Sequence, residues 1–307
     1  MSARVIVHLG LHKTATGTLQ RQLFPATREI KLFTTLDDPM REFMQLVTRK
    51  DPAYFDADYA RSLLQLDDAR TNLVSNESLS GPPYAGVIEG GLDHRTPVLT
   101  NLARVYPQAQ AVVVIRRQDK LAQSFYRQYL KSGGTRDVNR FFGFTAGQTP
   151  LFAVDRFDFA PWLRAVREAF PQGLLVLPFE QFVRDQSAFL DRLAQFMGVS
   201  FPDMTLTTEN STKLGPTGMV ASRLLNHLFR NLLNPAGLIP GIPVKRFGKY
   251  RSTSPGQLLH DYAPKSSRGV DRGPIHAAGE RILNAERERN RSLADEFGLG
   301  LEEHGYF

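Results

Sequence analysis

The sequence predicts an α/β protein of three layers, with a central, mainly parallel sheet flanked by helices. Three observations predict it. The runs Val5-Ile6-Val7, Thr71-Asn72-Leu73-Val74-Ser75 and Ala111-Val112-Val113-Val114-Ile115 have the length and composition of buried strands. After the first and third of these runs comes a polar or small-residue turn and then apolar residues at helical spacing, the alternation that builds parallel sheets. At 307 residues the chain is long enough to bury a substantial core, so residues 1–307 are expected as one domain, with 234–274 as a basic, Pro/Gly-rich arm or lid.

The first strand leads into Gly10-Leu11-His12-Lys13-Thr14-Ala15-Thr16-Gly17-Thr18, after which Leu19, Leu23 and Phe24 resume at helical spacing. Strand, small-residue loop and helix together seat anions. The first amides of the helix have no acceptor within it, and its positive dipole end faces the ligand. Lys13 adds a full charge, and Thr14, Thr16 and Thr18 add hydroxyls. The plain alternative is a small-residue loop carrying one solvated lysine. The order is not that of a Walker A loop, whose lysine comes at the end of G-x-x-x-x-G-K-[ST].

Ile30 to Phe33 reads as a short strand. Asp38-Pro39 starts a helix with Met40, Phe43, Met44 and Val47 on one face, and a second helix is expected over 56–66. The strand Thr71–Ser75 runs straight into Asn76-Glu77-Ser78. Ligand groups cluster at the carboxyl ends of strands in open parallel sheets. Glu77 is therefore either a catalytic carboxylate or a strand-end acid that caps a helix or pairs with a base. A Gly-rich loop over 86–91 precedes His94, and a helix ends before Tyr106-Pro107.

The strand Ala111–Ile115 ends in Arg116-Arg117, and Leu121, Ser124, Phe125 and Gln128 follow at helical spacing. An arginine at a strand end and a hydroxyl in the next helix can hold one phosphate, the guanidinium by its bidentate fork. The alternative is an arginine in a structural ion pair and an incidental serine. Residues 131–150 read as a long Gly-rich loop whose Phe141, Phe142 and Phe144 are expected in the core. Asp158 caps a helix carrying Trp162, Leu163 and Val166. Leu174 to Leu177 is a further strand, followed by a helix that ends at Gly198. A helix is expected from Val220 to Leu233. Residues 234–274, with seven Lys or Arg and only two acids, are expected to have little regular structure. A last helix runs from about Ala277 to Phe297.

The formal charge of +7 suits an anionic ligand or surface. Zinc-finger spacing, RNP-like aromatics and long basic helices are lacking, so nucleic acid is not an expected partner. With no cysteine, disulfides and thiolate metal sites are excluded, and no metal is expected. No signal-peptide pattern and no long apolar run is present, and the expected setting is the cytoplasm.

The order H-K-T-x-T-x-x-L-Q, starting at His12, resembles the 5′-phosphosulfate-binding loop of PAPS-dependent sulfotransferases, particularly bacterial enzymes and their carbohydrate-sulfating relatives. PAPS is 3′-phosphoadenosine 5′-phosphosulfate. The family usually reads H-K-T-G-T-T; this chain has Ala15 and Gly17 where glycine and the second threonine are common. The R-x7-S pair Arg116 and Ser124 resembles the family's 3′-phosphate motif, and Phe179-Glu180-Gln181-Phe182-Val183-Arg184-Asp185 resembles its Y-E-D-L-x-x-D segment. The resemblance spans Arg4 to Gly198. It implies a P-loop-like fold, PAPS as donor, and transfer of the sulfuryl group to an acceptor hydroxyl or amine. His12, Lys13, Thr14, Ala15, Thr16, Gly17 and Thr18 would hold the 5′ end, and Arg116 and Ser124 the 3′-phosphate. Lys13 would stabilise the leaving oxygen. Glu77 would be the base, with His94 as runner-up. The acceptor would be a small molecule, glycan or lipid head group, and the basic arm allows a peripheral membrane contact. Two other classes fit the residues less well. A P-loop kinase or nucleotidase would turn over ATP with magnesium, and a non-catalytic nucleotide- or polyanion-binding protein would bind adenosine 3′,5′-bisphosphate without transfer.

Overall fold

Five parallel strands carry the architecture: β1 (Val5–Leu9), β2 (Ile30–Phe33), β3 (Thr71–Asn76), β4 (Gln110–Ile115) and β5 (Leu174–Pro178), in the order β2-β3-β1-β4-β5. The computed structural model describes residues 3–34, 38–81, 95–147, 149–207, 214–246, 249–262 and 273–307. Every residue of β1 and β3 is buried, the polar His8, Asn72 and Asn76 included. Ile6, Leu73, Val112 and Leu177 from four strands share one core cluster with Leu19, Leu23 and Phe24 of the first helical stretch.

That stretch, α1, runs through Thr16–Thr18, a π-helical Leu19–Leu23 and Phe24–Ala26. The expected helix at Asp38 is α2 (Asp38–Arg49), and its predicted apolar face of Met40, Phe43, Met44 and Val47 is buried. It is followed by α3 (Ala57–Leu63) and α4 (Arg95–Val105). The chain then forms α5 (Gln118–Lys131), α6 (Val138–Phe142), α7 (Ala160–Ala169), α8 (Phe179–Arg184) and α9 (Gln186–Met197). The N-cap of α7 is Phe159, not the expected Asp158, and it has no side-chain cap bond; Asp158, one residue earlier, accepts from Ala160 N at 3.2 Å. Among the described residues, no helix is long and apolar enough to cross a membrane.

The chain divides into two compact units. The first holds residues 1–117, 155–208 and 286–307, and so contains the sheet. The second holds 118–154 and 209–285. In the second unit, Phe141 and Phe142 are buried, with Tyr126, Tyr129 and Phe152 in ring contact with them. Residues 131–150 are not all loop, because Asp137 accepts from Asn139 N and Arg140 N and so starts α6.

Two further expectations about the second unit change. The helix expected from Val220 to Leu233 is α10 (Pro216–Leu228), which begins earlier, with Pro216 at its first position, and ends earlier, where Phe229 turns extended. The Pro/Gly-rich segment has regular structure: β6 (Ile242–Arg246) pairs antiparallel with β7 (Lys249–Thr253), and α11 covers Pro255–Tyr262. Ser254-Pro255-Gly256-Gln257 is a capping box, in which Ser254 Oγ accepts from Gln257 N at 3.2 Å and Ser254 N donates to Gln257 Oε1 at 2.8 Å. The last helix, α12 (Pro274–Phe297), starts three residues before Ala277.

Candidate functional site

The strand order reverses between β1 and β4, the place where an open parallel sheet leaves a crevice beyond its carboxyl ends. The loop after β1 and the arginines after β4 both lie there. Gly10 is fixed by space: a Cβ on it would lie 2.5 Å from Thr16 Oγ1. Lys13 and Ala15 both have left-handed backbones, with φ of 70° and 62°. Ala15 stands where the related motif usually has glycine, and its φ explains that preference. A left-handed residue followed by the right-handed Thr16 turns successive amides to one side, a geometry that holds anions.

Two of the threonine hydroxyls bond within the loop. Thr14 Oγ1 donates to the Leu11 carbonyl at 2.5 Å, and Thr16 Oγ1 reaches the same carbonyl at 3.5 Å. All three threonines are buried. Two of the hydroxyls thus fold the loop on itself.

Strand register brings the next pair together. Leu9 of β1 lies opposite Asn76 of β3, so residues just beyond each strand share one rim. His12 Nδ1 and Glu77 Oε2 are 2.9 Å apart, and His12 Nε2 lies 3.3 Å from the Gly81 carbonyl. Ser80 Oγ also donates to the Gly10 carbonyl at 2.9 Å. Burial pulls the Glu77 pKa up, but the hydrogen bond from His12 and the charges of His12, Lys13 and His8 together outweigh it and hold the carboxyl below its usual range. Glu77 thus pairs with a base, His12, on the same rim. His12 is the group that fixes Glu77.

Beneath the loop lies a network that sequence reasoning missed. Gln20, the last residue of the H-K-T motif, donates through Nε2 to both the carbonyl and the hydroxyl of Ser75, at 2.9 Å each. The same hydroxyl is 2.8 Å from His8 Nδ1. His8 is buried, its Nε2 has no hydrogen-bond partner among the described residues, and burial lowers its pKa to about 4. The signal available was only that Gln20 closes the motif; His8 and Ser75 read as ordinary strand residues.

On the other side of the crevice, Arg116 Nη1 donates to the Lys13 carbonyl at 2.8 Å, and its guanidinium lies 4.7 Å from the centre of the Phe179 ring. Glu180 accepts from Arg117 N at 3.1 Å and from the hydroxyl of buried Tyr306 at 2.8 Å. Asp185 accepts from Ala188 N at 3.0 Å and starts α9. The segment from Phe179 to Asp185 is therefore a brace for the arginines. Ser124 lies in α5, within the second unit. His94 lies outside the described residues, as do the basic Lys265, Arg268 and Arg272. Among the described residues, no group of three or more His, Asp or Glu side chains could hold a metal ion.

The chain is similar to known proteins in sequence and, distantly, in fold. The Sulfotransferase family profile matches residues 6–203, well over half of the chain. The crystal structure of a sulfotransferase from Alicyclobacillus acidocaldarius is similar at 15% identity over 74% of this chain and 94% of that one, with a TM-score of 0.48. A sulfotransferase domain from the curacin biosynthetic pathway gives 10% identity, 93% and 97% coverage, and 0.41. A mouse sulfotransferase complexed with PAP gives 10% identity, 93% and 84% coverage, and 0.40. No curated protein matches the chain. The structural likenesses are too distant to add to the assignment, which rests on the family match: the chain belongs to the sulfotransferase family and is an enzyme of sulfuryl transfer.

Proposed function

We propose that the donor is PAPS and that the chain moves its sulfuryl group to an acceptor hydroxyl or amine, releasing adenosine 3′,5′-bisphosphate. The observation that carries this reading is the loop after β1. Its left-handed Ala15 and right-handed Thr16 make an amide concavity, and Lys13 and Arg116 supply cations beside it. That donor set suits a phosphosulfate end. On the motif, Arg116 and Ser124 are proposed as ligands of the 3′-phosphate. Lys13 is proposed to stabilise charge on the departing phosphate oxygen, and Glu77, held by His12, to take the acceptor proton. Catalysis is then positioning plus electrostatic stabilisation. The proposed acceptor is a small molecule, glycan or lipid head group. The proposed setting is the cytoplasm, which suits a cysteine-free chain. Residues 234–274 are proposed as a basic arm of the domain.

The test is transfer from labelled PAPS to a panel of these acceptor classes by the intact chain and by Lys13→Ala. Turnover should fall by about 10²–10³ in the variant, the usual loss for one group that stabilises developing charge, while affinity for adenosine 3′,5′-bisphosphate changes far less. Near-normal turnover in Lys13→Ala removes Lys13 from the reaction. ATP turnover that depends on magnesium would point to a kinase or nucleotidase instead.

A further inference from the structure

Helix α10 buries two polar residues beside Met219 and leaves an apolar stripe outside. Ser222 and Asn226 are fully buried. Ser222 Oγ donates to the Gly256 carbonyl at 2.8 Å, and Asn226 Nδ2 donates to the carbonyls of Leu130 and Gly134 at 2.9 and 3.0 Å. Val220, Leu224 and Leu228, each four residues from the next and so on one stripe, are all exposed. The apolar surface continues past the helix, where Leu232 and Leu238 are 79% and 81% exposed and Ile239 and Ile242 are exposed too.

Backbone bonds make these residues neighbours. Ile239 N donates to the Leu228 carbonyl at 2.9 Å, Arg230 N donates to the Ile239 carbonyl at 2.8 Å, and Ser252 Oγ donates to the Arg230 carbonyl at 2.9 Å. The end of α10, the Leu238–Ile239 turn and the β6–β7 hairpin are thus one surface. On the hairpin, exposed Lys245 stands opposite Tyr250, which is 74% exposed. From Leu214 to His260 the chain has no Asp or Glu, against Arg223, Arg230, Lys245, Arg246, Lys249 and Arg251.

A contiguous apolar patch of this kind marks an interaction site. Its charge decides between occupants. Arg223 is paired with Asp137 at 4.0 Å, but a symmetric contact with a second copy would still set Arg230, Lys245 and Arg251 of each copy against one another. Exposed aliphatic residues and a tyrosine among lysines and arginines suit one surface, an anionic bilayer, where apolar side chains enter the acyl boundary and cations meet lipid phosphates. We propose that this face of the second unit docks on anionic lipid membranes. The proposal is independent of the reaction, since binding needs no turnover.

The experiment is co-sedimentation of the full chain with phosphatidylcholine vesicles made with and without phosphatidylglycerol, over a salt series. Wild type should partition onto the phosphatidylglycerol vesicles and come off as salt rises. The double variants Leu232→Asp/Leu238→Asp and Lys245→Glu/Arg251→Glu should each lose about tenfold or more in partitioning. All four positions are exposed, and circular dichroism checks that the variants keep the fold. Absence of binding to the anionic vesicles at low salt overturns the proposal, as does equal binding by wild type and both variants. Sedimentation equilibrium reads the other occupant: a dimer that Leu232→Asp/Leu238→Asp dissociates would assign the face to a second copy and overturn the bilayer.

Discussion

Arg116 donates from Nη1 to the main-chain carbonyl of Lys13 across 2.8 Å, joining the ends of β4 and β1 over 103 residues of sequence. Arg116 therefore has two jobs under the proposed function, a ligand for the 3′-phosphate and a clamp on the loop. Arg116→Ala should weaken adenosine 3′,5′-bisphosphate by roughly 10–100-fold, the worth of one charge-assisted contact. Calorimetry with adenosine 5′-phosphate separates the roles. A much smaller loss for that nucleotide assigns Arg116 to the 3′-phosphate, whereas an equal loss for both leaves it only the clamp.

Ala15 bears a backbone conformation that glycine adopts without cost. Its φ of 62° brings Cβ toward the carbonyl oxygen, a penalty of about 1 kcal/mol or more for an L-residue. Ala15→Gly should stabilise the chain by about 1 kcal/mol, a rise of roughly 2–4 °C in Tm, with transfer activity preserved. A lower melting temperature would show that the loop relaxes in some other way.

Glu77 and His12 form one unit, and the pH profile can divide it. Glu77→Gln should leave nucleotide binding intact and lower transfer by about 10²–10⁴, the range for loss of a general base. The folded carboxyl lies below its usual pKa, so the acid limb of the wild-type profile falls below the ordinary carboxylate range. His12→Asn removes both the leading hydrogen bond and a nearby charge, and should move that limb to higher pH. A limb that stays in place in His12→Asn, or full activity in Glu77→Gln, would separate the carboxylate from proton removal.

His8 gives a stability prediction with a definite sign. Its folded pKa of about 4 lies below the unfolded 6.5, so between these values the unfolded chain binds the extra proton. Stability from this group is complete above pH 6.5 and declines as pH falls toward 4, by about 3 kcal/mol over the window. Below 4 the folded form takes up the proton too and the decline stops. Chemical denaturation across this range should show that slope in wild type and lose it in His8→Gln. A slope unchanged in the variant would place the acid sensitivity elsewhere.

The strands, their parallel arrangement and the placing of Lys13 and Arg116 just beyond strand ends could be read in the sequence, because those features are local. A run of β-branched residues is buried wherever a sheet forms, and a charged residue that ends such a run sits at the sheet's edge. The capping box at Ser254 to Gln257 was equally local, although the Pro/Gly content around it masked the signal. What depended on register could not be read there. His12 meets Glu77 only because Leu9 lies opposite Asn76, and Gln20 meets Ser75 only because α1 packs against the sheet. The use of Thr14 and Thr16 on the Leu11 carbonyl, and the left-handed turn at Ala15, follow from how tightly the loop closes, a property of three dimensions. The outward-facing leucines of α10 are the clearest case. Periodicity names an apolar stripe, but only the tertiary structure decides which side of a helix is covered. Here buried carbonyls of Leu130, Gly134 and Gly256 require hydrogen-bond donors, so Ser222 and Asn226 turn inward and the leucines are left in water.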